Sequence, residues 1–188
     1  MCLGPAGYQS ETDTNDSTLA EDLEEDLKRF GFDYEYLGGG KDGWDTEKEG
    51  GRCKLVWLLR RLIDLEPTTV VMVLDGYDVR VKSDPGTILK QWGALRYPNV
   101  IAGEVLYWPK RDLRSAFNGI GLFEDEDNPI YKYPCSGTFI ATAGSLRAQL
   151  RNVLGQYPKE QEQDDQFLMQ KVVSVSYTHL TLPTILRV

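Results

Sequence analysis

Thr68-Thr-Val-Val-Met-Val-Leu74, running without a break into Asp75-Gly-Tyr-Asp78, is the stretch on which the fold turns. Its apolar residues scarcely alternate with polar ones, which is the pattern of a strand covered on both faces in a mainly parallel α/β sheet. Open α/β sheets bind ligands at the carboxyl ends of their strands, and this strand delivers two carboxylates there. In an extended chain, residues three apart face opposite sides, so Gly76-Tyr77 must turn the backbone for Asp75 and Asp78 to converge on one cation. Hard oxygen ligands with no Cys or His nearby select Mn²⁺ or Mg²⁺ over zinc. The same spacing also suits a solvated Asp-Gly turn, and the acidic spacing of an EF-hand is lacking.

Upstream, Thr18 followed by Glu21 matches a capping box. Leu19, Leu23, Leu27 and Phe30 then form an apolar stripe that stops at Gly31, which predicts a helix over 18–29. Residues 32–37 alternate aromatic and acidic side chains and break at Gly38-Gly39-Gly40, a strand feeding a glycine-rich loop. A glycine pair, Gly50-Gly51, precedes Lys54 and a helical run over 55–65, in which Leu55, Leu58, Leu59 and Leu62 share a face. Lys54 thus stands where exposed N–H groups and the helix dipole favour anions, although a solvent-facing lysine has the same sequence appearance. Downstream, a helix over 85–95 and strands over 100–103 and around 138–141 continue the alternation of an α/β fold.

The chain has 188 residues, 41% of them hydrophobic, enough for one sizeable core and too little for two ordinary domains. Its 21 basic and 29 acidic residues give a net charge of −8, which argues against a nucleic-acid partner. No apolar run approaches the ~20 residues of a membrane helix, and the first residues lack the pattern of a signal peptide. Cys2, Cys53 and Cys135 are scattered and form no CxxC pair, so they specify neither a disulfide framework nor a zinc site. Glu124-Asp-Glu-Asp127 reads as a solvated charge run.

The two ends stand apart. Val175-Ser-Tyr-Thr-His-Leu-Thr-Leu-Pro-Thr184 matches the translation of one frame of a transposase adapter used in sequencing libraries, so 175–188 is expected to carry no evolved structure. His179, the single histidine, therefore receives no role, and the native sequence is expected to continue differently beyond 174. Residues 1–17 are expected to be disordered or foreign to the domain, because 7–17 are polar and acidic. The domain is expected over 18–174.

From about 37 to 173 the chain resembles the glycosyltransferase domain of procollagen-lysine hydroxylases and its stand-alone relatives. The resemblance is carried by Leu37-Gly…Trp44, Gly50-Gly51-x-x-Lys54-x-x-Trp57, Asp75-Gly-Tyr-Asp78-Val, Glu104…Trp108-Pro109, Ser136-Gly137-x-Phe139-Ile140 and Asp164-Asp165-Gln166. It implies a GT-A-like, Rossmann-related fold and transfer of glucose or galactose from a UDP-sugar to an acceptor hydroxyl of a glycan or protein, hydroxylysine-linked in the family. It further implies Mn²⁺ on Asp75 and Asp78, with Trp44 and Tyr77 on the uracil and ribose and Lys54 on the diphosphate. Trp108 would line the acceptor side, Ser136 and Gly137 would flank the donor, and Asp164 and Asp165 would position the reactants or accept the acceptor's proton. A lumenal, secretory-pathway location follows from the resemblance alone.

Departures from the family are equally specific. Cys135 stands where the family has Asn, the family's third metal ligand is a histidine downstream of the acidic cluster, and the family's first strand has no evident counterpart before Thr18. Two other functions fit parts of the pattern. A haloacid-dehalogenase-like phosphatase also places an aspartate at a buried strand end, but its second carboxylate would fall on Tyr77. A non-catalytic nucleotide-sugar-binding or scaffold domain would keep the fold without the chemistry.

Overall fold

The computed structural model describes residues 2–3, 16–37, 51–76, 79–104, 133–158 and 164–177. The element order is β1 (Cys2–Leu3), α1 (Asp16–Arg29), β2 (Tyr36–Leu37), α2 (Arg52–Ile63), β3 (Val70–Asp75), α3 (Pro85–Leu95), β4 (Asn99–Glu104), β5 (Tyr133–Thr142), α4 (Ala143–Gln156) and α5 (Asp165–Tyr177). The strands form one sheet in the order β2-β1-β3-β5-β4. β1 runs parallel to β2 and β3, whereas β5 runs antiparallel to both β3 and β4, so β1 to β4 share a direction and β5 alone opposes them. The α/β class and the common direction of four strands agree with the apolar reading of β3. The reversed strand wedged between β3 and β4 was not anticipated.

β3 is covered on both sides, as its composition requires. Val71 and Val73 join a core with Leu55, Leu58, Leu62, Phe139, Leu146, Leu150, Leu168 and Met169, which come from α2, β5, α4 and α5. Leu74 turns to the other face, where it packs with Leu23, Leu27 and Val81, and Met72 lies against the same cluster. Alternate residues of one strand thus feed two cores, the geometry that an unalternating apolar run makes possible.

α1 starts at Asp16, two residues before the expected cap at Thr18. Its end follows the sequence reading closely. Gly31 sits at φ 72, the Phe32 N–H reaches the Leu27 carbonyl at 2.9 Å and the Gly31 N–H reaches that of Lys28 at 3.2 Å. This is a Schellman closure, in which a left-handed residue satisfies the last carbonyls of the helix. α3 begins at Pro85 after Asp84, whose carboxylate accepts the Thr87 N–H at 3.0 Å. α4 went unpredicted, although Leu146, Leu150 and Val153 recur at helical spacing and the Thr142 hydroxyl caps it through the Ser145 N–H. Its carboxyl end is closed from a distance, since the buried Arg52 of α2 donates to the carbonyls of Leu154 (3.0 Å) and Tyr157.

Two expectations are corrected. Residues 32–37 do not form a full strand: only Tyr36 and Leu37 pair, and the aromatic residues before them pack on the α1 core instead. A strand does precede Thr18, because Cys2–Leu3 lies between β2 and β3, with Cys2 opposite Tyr36 on one side and Leu74 on the other. The segment 178–188 lies outside the described residues, as does the charge run 124–127. No helix among the described residues is long and apolar enough to cross a membrane.

After β3 the chain returns to α1 through a charged clasp. Arg80 forks onto Asp26 at 2.6 and 3.1 Å and reaches Asp22 at 2.8 Å, while the Val81 N–H donates to Asp26 at 3.2 Å. The Arg80 hydrogen bonds hold the Asp26 carboxyl below the usual aspartate range, against the opposing effect of burial. A carboxyl depressed in the folded state contributes its full stabilisation above its unfolded pKa and loses it as pH falls through the folded value. The resistance of the wild type to urea should therefore weaken as pH falls below the ordinary aspartate range, and Asp26→Asn should be less stable at pH 7 and show a shallower acid slope. Parallel acid slopes for the two proteins would dismiss the clasp as a stabilising contact.

Candidate active site

The carboxyl ends of β3 and β4 and the start of the reversed β5 meet at one rim of the sheet, and the first turns of α2 and α5 abut it. Lys54, in the first turn of α2, is buried, with a side chain 7% exposed. Its ammonium bonds Asp75 at the end of β3 and lies 3.0 Å from Asp165 at the start of α5. Burial by itself would pull the Lys54 pKa down, and the attraction of Asp165 and Asp75 with their hydrogen bonds outweighs it, so the group is held above the usual lysine range. This lysine is buried, not solvent-facing. It bridges two carboxylates supplied by elements far apart in sequence.

Two glycines make that approach possible. A Cβ on Gly51 would stand 2.3 Å from Asp165 Oδ1, and one on Gly137 would stand 2.9 Å from Asp75 Oδ2. Gly51 and Gly137 therefore share a steric reason: each lets a carboxylate lie against backbone.

The acidic pair after residue 163 divides in two. Asp164 accepts the Phe167 N–H at 2.7 Å, so this carboxylate caps α5. Asp165 turns inward to Lys54. Beside them Gln166, only 7% exposed, donates to the Pro134 carbonyl at 2.8 Å and to Glu104 at 3.3 Å, and accepts the Ser136 N–H. Gln166 carried no assigned role in the sequence, and its position straight after two carboxylates at a helix start was the available signal. Cys135, in the family's Asn position, has its thiol pushed up to about 12 by burial and then by the neighbouring Glu104. Its Sγ accepts the Gly137 N–H at 3.3 Å. A thiol kept protonated is a poor ligand for soft metals.

The structure thus brings Lys54, Asp75, Asp165, Ser136 and Gly137 to one rim, with Asp164 next to it. Trp44, Tyr77, Asp78 and Trp108 lie outside the described residues. Among the described residues, no group of three His, Cys, Asp or Glu side chains is placed to hold a metal. Asp75 offers a carboxylate at the end of β3, about a third exposed and with one oxygen turned from Lys54 to Gly137. Its oxygen chemistry, beside a thiol that stays protonated, fits a hard divalent cation better than a thiophilic one.

The family model of the PLOD GT domain matches residues 11–174. None of the curated proteins matches the chain. Among solved structures, the chain is similar to mouse xyloside xylosyltransferase 1 in its apo form, at 12% identity and a TM-score of 0.39. That alignment covers 90% of this chain and 60% of the other, so the chain spans less than two thirds of that structure. The family match takes in β2, β3, β5 and the rim residues Lys54, Asp75, Gly137 and Asp165. The chain belongs to the PLOD GT domain family and is a glycosyltransferase domain.

Proposed function

We propose that this domain moves a hexose, glucose or galactose, from a UDP-sugar to an acceptor hydroxyl on a hydroxylysine-linked glycan or protein. Mn²⁺, with Mg²⁺ as the substitute, is held by Asp75 and Asp78. The observation that carries this reading is the Lys54 ammonium between Asp75 and Asp165, which gathers a strand-end carboxylate and a helix-start carboxylate at the rim where α/β folds bind ligands. A chain of net charge −8 needs a cation to receive a dianionic diphosphate. Held there, the cation would supply positive charge to the UDP leaving group.

This chain's own residues divide the remaining work. Asp165, fixed by Lys54, faces the reacting centre as the group that orients the acceptor hydroxyl or takes its proton. Ser136 and Gly137 present backbone to the donor at the place where Gly137 lies against Asp75. Trp44 and Tyr77 cover the base and ribose, and Trp108 the acceptor.

Isothermal titration with UDP, with and without Mn²⁺, tests the reading. Binding should require the metal, Asp78→Ala should abolish it, and Glu126→Ala in the charge run should leave it unchanged. Tight UDP binding in the absence of any divalent cation would overturn the assignment of Asp75 and Asp78.

A further inference from the structure

We infer that Gln166 is a positioning residue, one whose side-chain amide braces the irregular start of β5 against α5 and so holds Gly137 against Asp75. The inference about the brace is structural, and its consequence for the donor rests on the reading given under Proposed function. The β3–β5 ladder ends at Leu74 opposite Thr138. The β4–β5 ladder pairs Ile101 with Phe139 and resumes only at Gly103 opposite Pro134, across a register shift. Residues 135–137 fall between the two ladders and are paired across neither strand. This segment carries Ser136 and Gly137, and backbone polar groups that lose their strand partner in a buried place need another.

Gln166 supplies that partner in the pattern of a neighbouring strand. Its Oε1 accepts the N–H of Ser136, and its Nε2 donates to the carbonyl of Pro134, two residues back along the same strand. The second Nε2 hydrogen points to Glu104 Oε2 at the end of β4, so one planar amide ties β4, β5 and α5 together. No other side chain of that length offers one acceptor and two donors in a plane. A glutamate could accept from Ser136, but it could not donate to Pro134 and would face the carboxylate of Glu104. The residue before Gln166 is Asp165, so the same brace fixes the helix start from which Asp165 reaches Lys54.

The test compares Gln166→Leu, Gln166→Glu, the double variant Gln166→Glu with Glu104→Gln, and Val153→Ala as a core control on α4. Hydrogen exchange at the Ser136 amide is read on ligand-free protein, and UDP affinity is read by titration in Mn²⁺. Gln166→Leu and Gln166→Glu should speed Ser136 exchange about tenfold, the worth of one buried hydrogen bond. Both should weaken UDP binding about 10–100-fold, as supporting partners of a site do. The Glu104→Gln change should recover part of both losses, because its amide can donate to the new carboxylate. Val153→Ala should lower the melting temperature with UDP affinity unchanged.

Unaltered Ser136 exchange in both Gln166 variants would overturn the brace. So would an equal loss of affinity in Val153→Ala, which would reduce Gln166 to general stability. Should Gln166→Leu fail to fold, Gln166→Glu and its double variant carry both readouts. A wild type that binds no UDP would instead overturn the donor reading, and the exchange measurement would still decide the brace.

Discussion

Lys54→Met is expected to destabilise the fold by about 2 kcal/mol at pH 7 and to release Asp75 from Asp165. Removing one partner of a buried ion pair typically costs about 3–5 kcal/mol, because the remaining charge is left without compensation. Here the stranded groups are two carboxylates whose side chains are 35% and 19% exposed, so water takes over part of the lost interaction and the cost falls below that range. The pH dependence has a definite sign. Burial, the largest influence, lowers the Lys54 pKa, but the two carboxylates raise it further, so the folded value lies above the ordinary lysine value of 10.5. The contribution is complete below the unfolded pKa and is lost as pH rises through the folded one. Urea midpoints from pH 7 to the alkaline limit should therefore converge for wild type and Lys54→Met at the top of the range. A variant as stable as the wild type at pH 7 would mean that Asp75 and Asp165 relax into solvent without cost, and that Lys54 is not what gathers them.

Leu58→Ala should cost more, about 3 kcal/mol, and should do so without disturbing the rim. Leu58 is fully buried and stands one helical turn after Lys54, on the face of α2 that also carries Leu55 and Leu62. It packs in the core formed by α2, α4, α5 and β3, where truncation removes transfer free energy and leaves a cavity between elements that cannot collapse independently. For a domain of this size the loss corresponds to a melting temperature lower by about 6–12 °C. UDP affinity in Mn²⁺, measured well below the transition, should stay within about twofold of wild type, in contrast to the Gln166 variants. A cost under about 1 kcal/mol would show that α2 is not anchored through Leu58. The half-buried Trp57 on the same helix, stacked under Arg60 at 4.9 Å, is expected to tolerate truncation better.

Much of the architecture was legible because the decisive signals are local. The apolar run that became β3, the stripe of Leu23 and Leu27 that ends at Gly31, and the Asp84-Pro85 start of α3 each depend on residues within one turn or one strand. Periodicity and capping act over that distance, so they can be read without knowing what the element packs against. The place of Asp75 followed from the same logic, since a buried strand ends where its apolar run ends. The cap that Asp164 places on α5 is equally local, because a capping carboxylate bonds an N–H only three residues on.

What the tertiary structure decided is the partner of each of these groups. The amino-acid sequence by itself determined that β3 is a central strand with a carboxylate at its end, that α1 and α2 each present one apolar face, and that the chain belongs among α/β glycosyltransferases. It did not determine that β5 runs backwards between β3 and β4, that Cys2–Leu3 enters the sheet beside β3, or that Lys54 lies between Asp75 and Asp165. Strand order and ion-pair partners join residues separated by tens of positions, and no local period encodes such a separation. They are settled when the sheet closes and buried polar groups must find whatever donor or acceptor the packing brings near. Gln166 shows the principle most sharply: its neighbours in the chain mark only a helix start, while its amide answers backbone groups on β5 that lost their own strand partners.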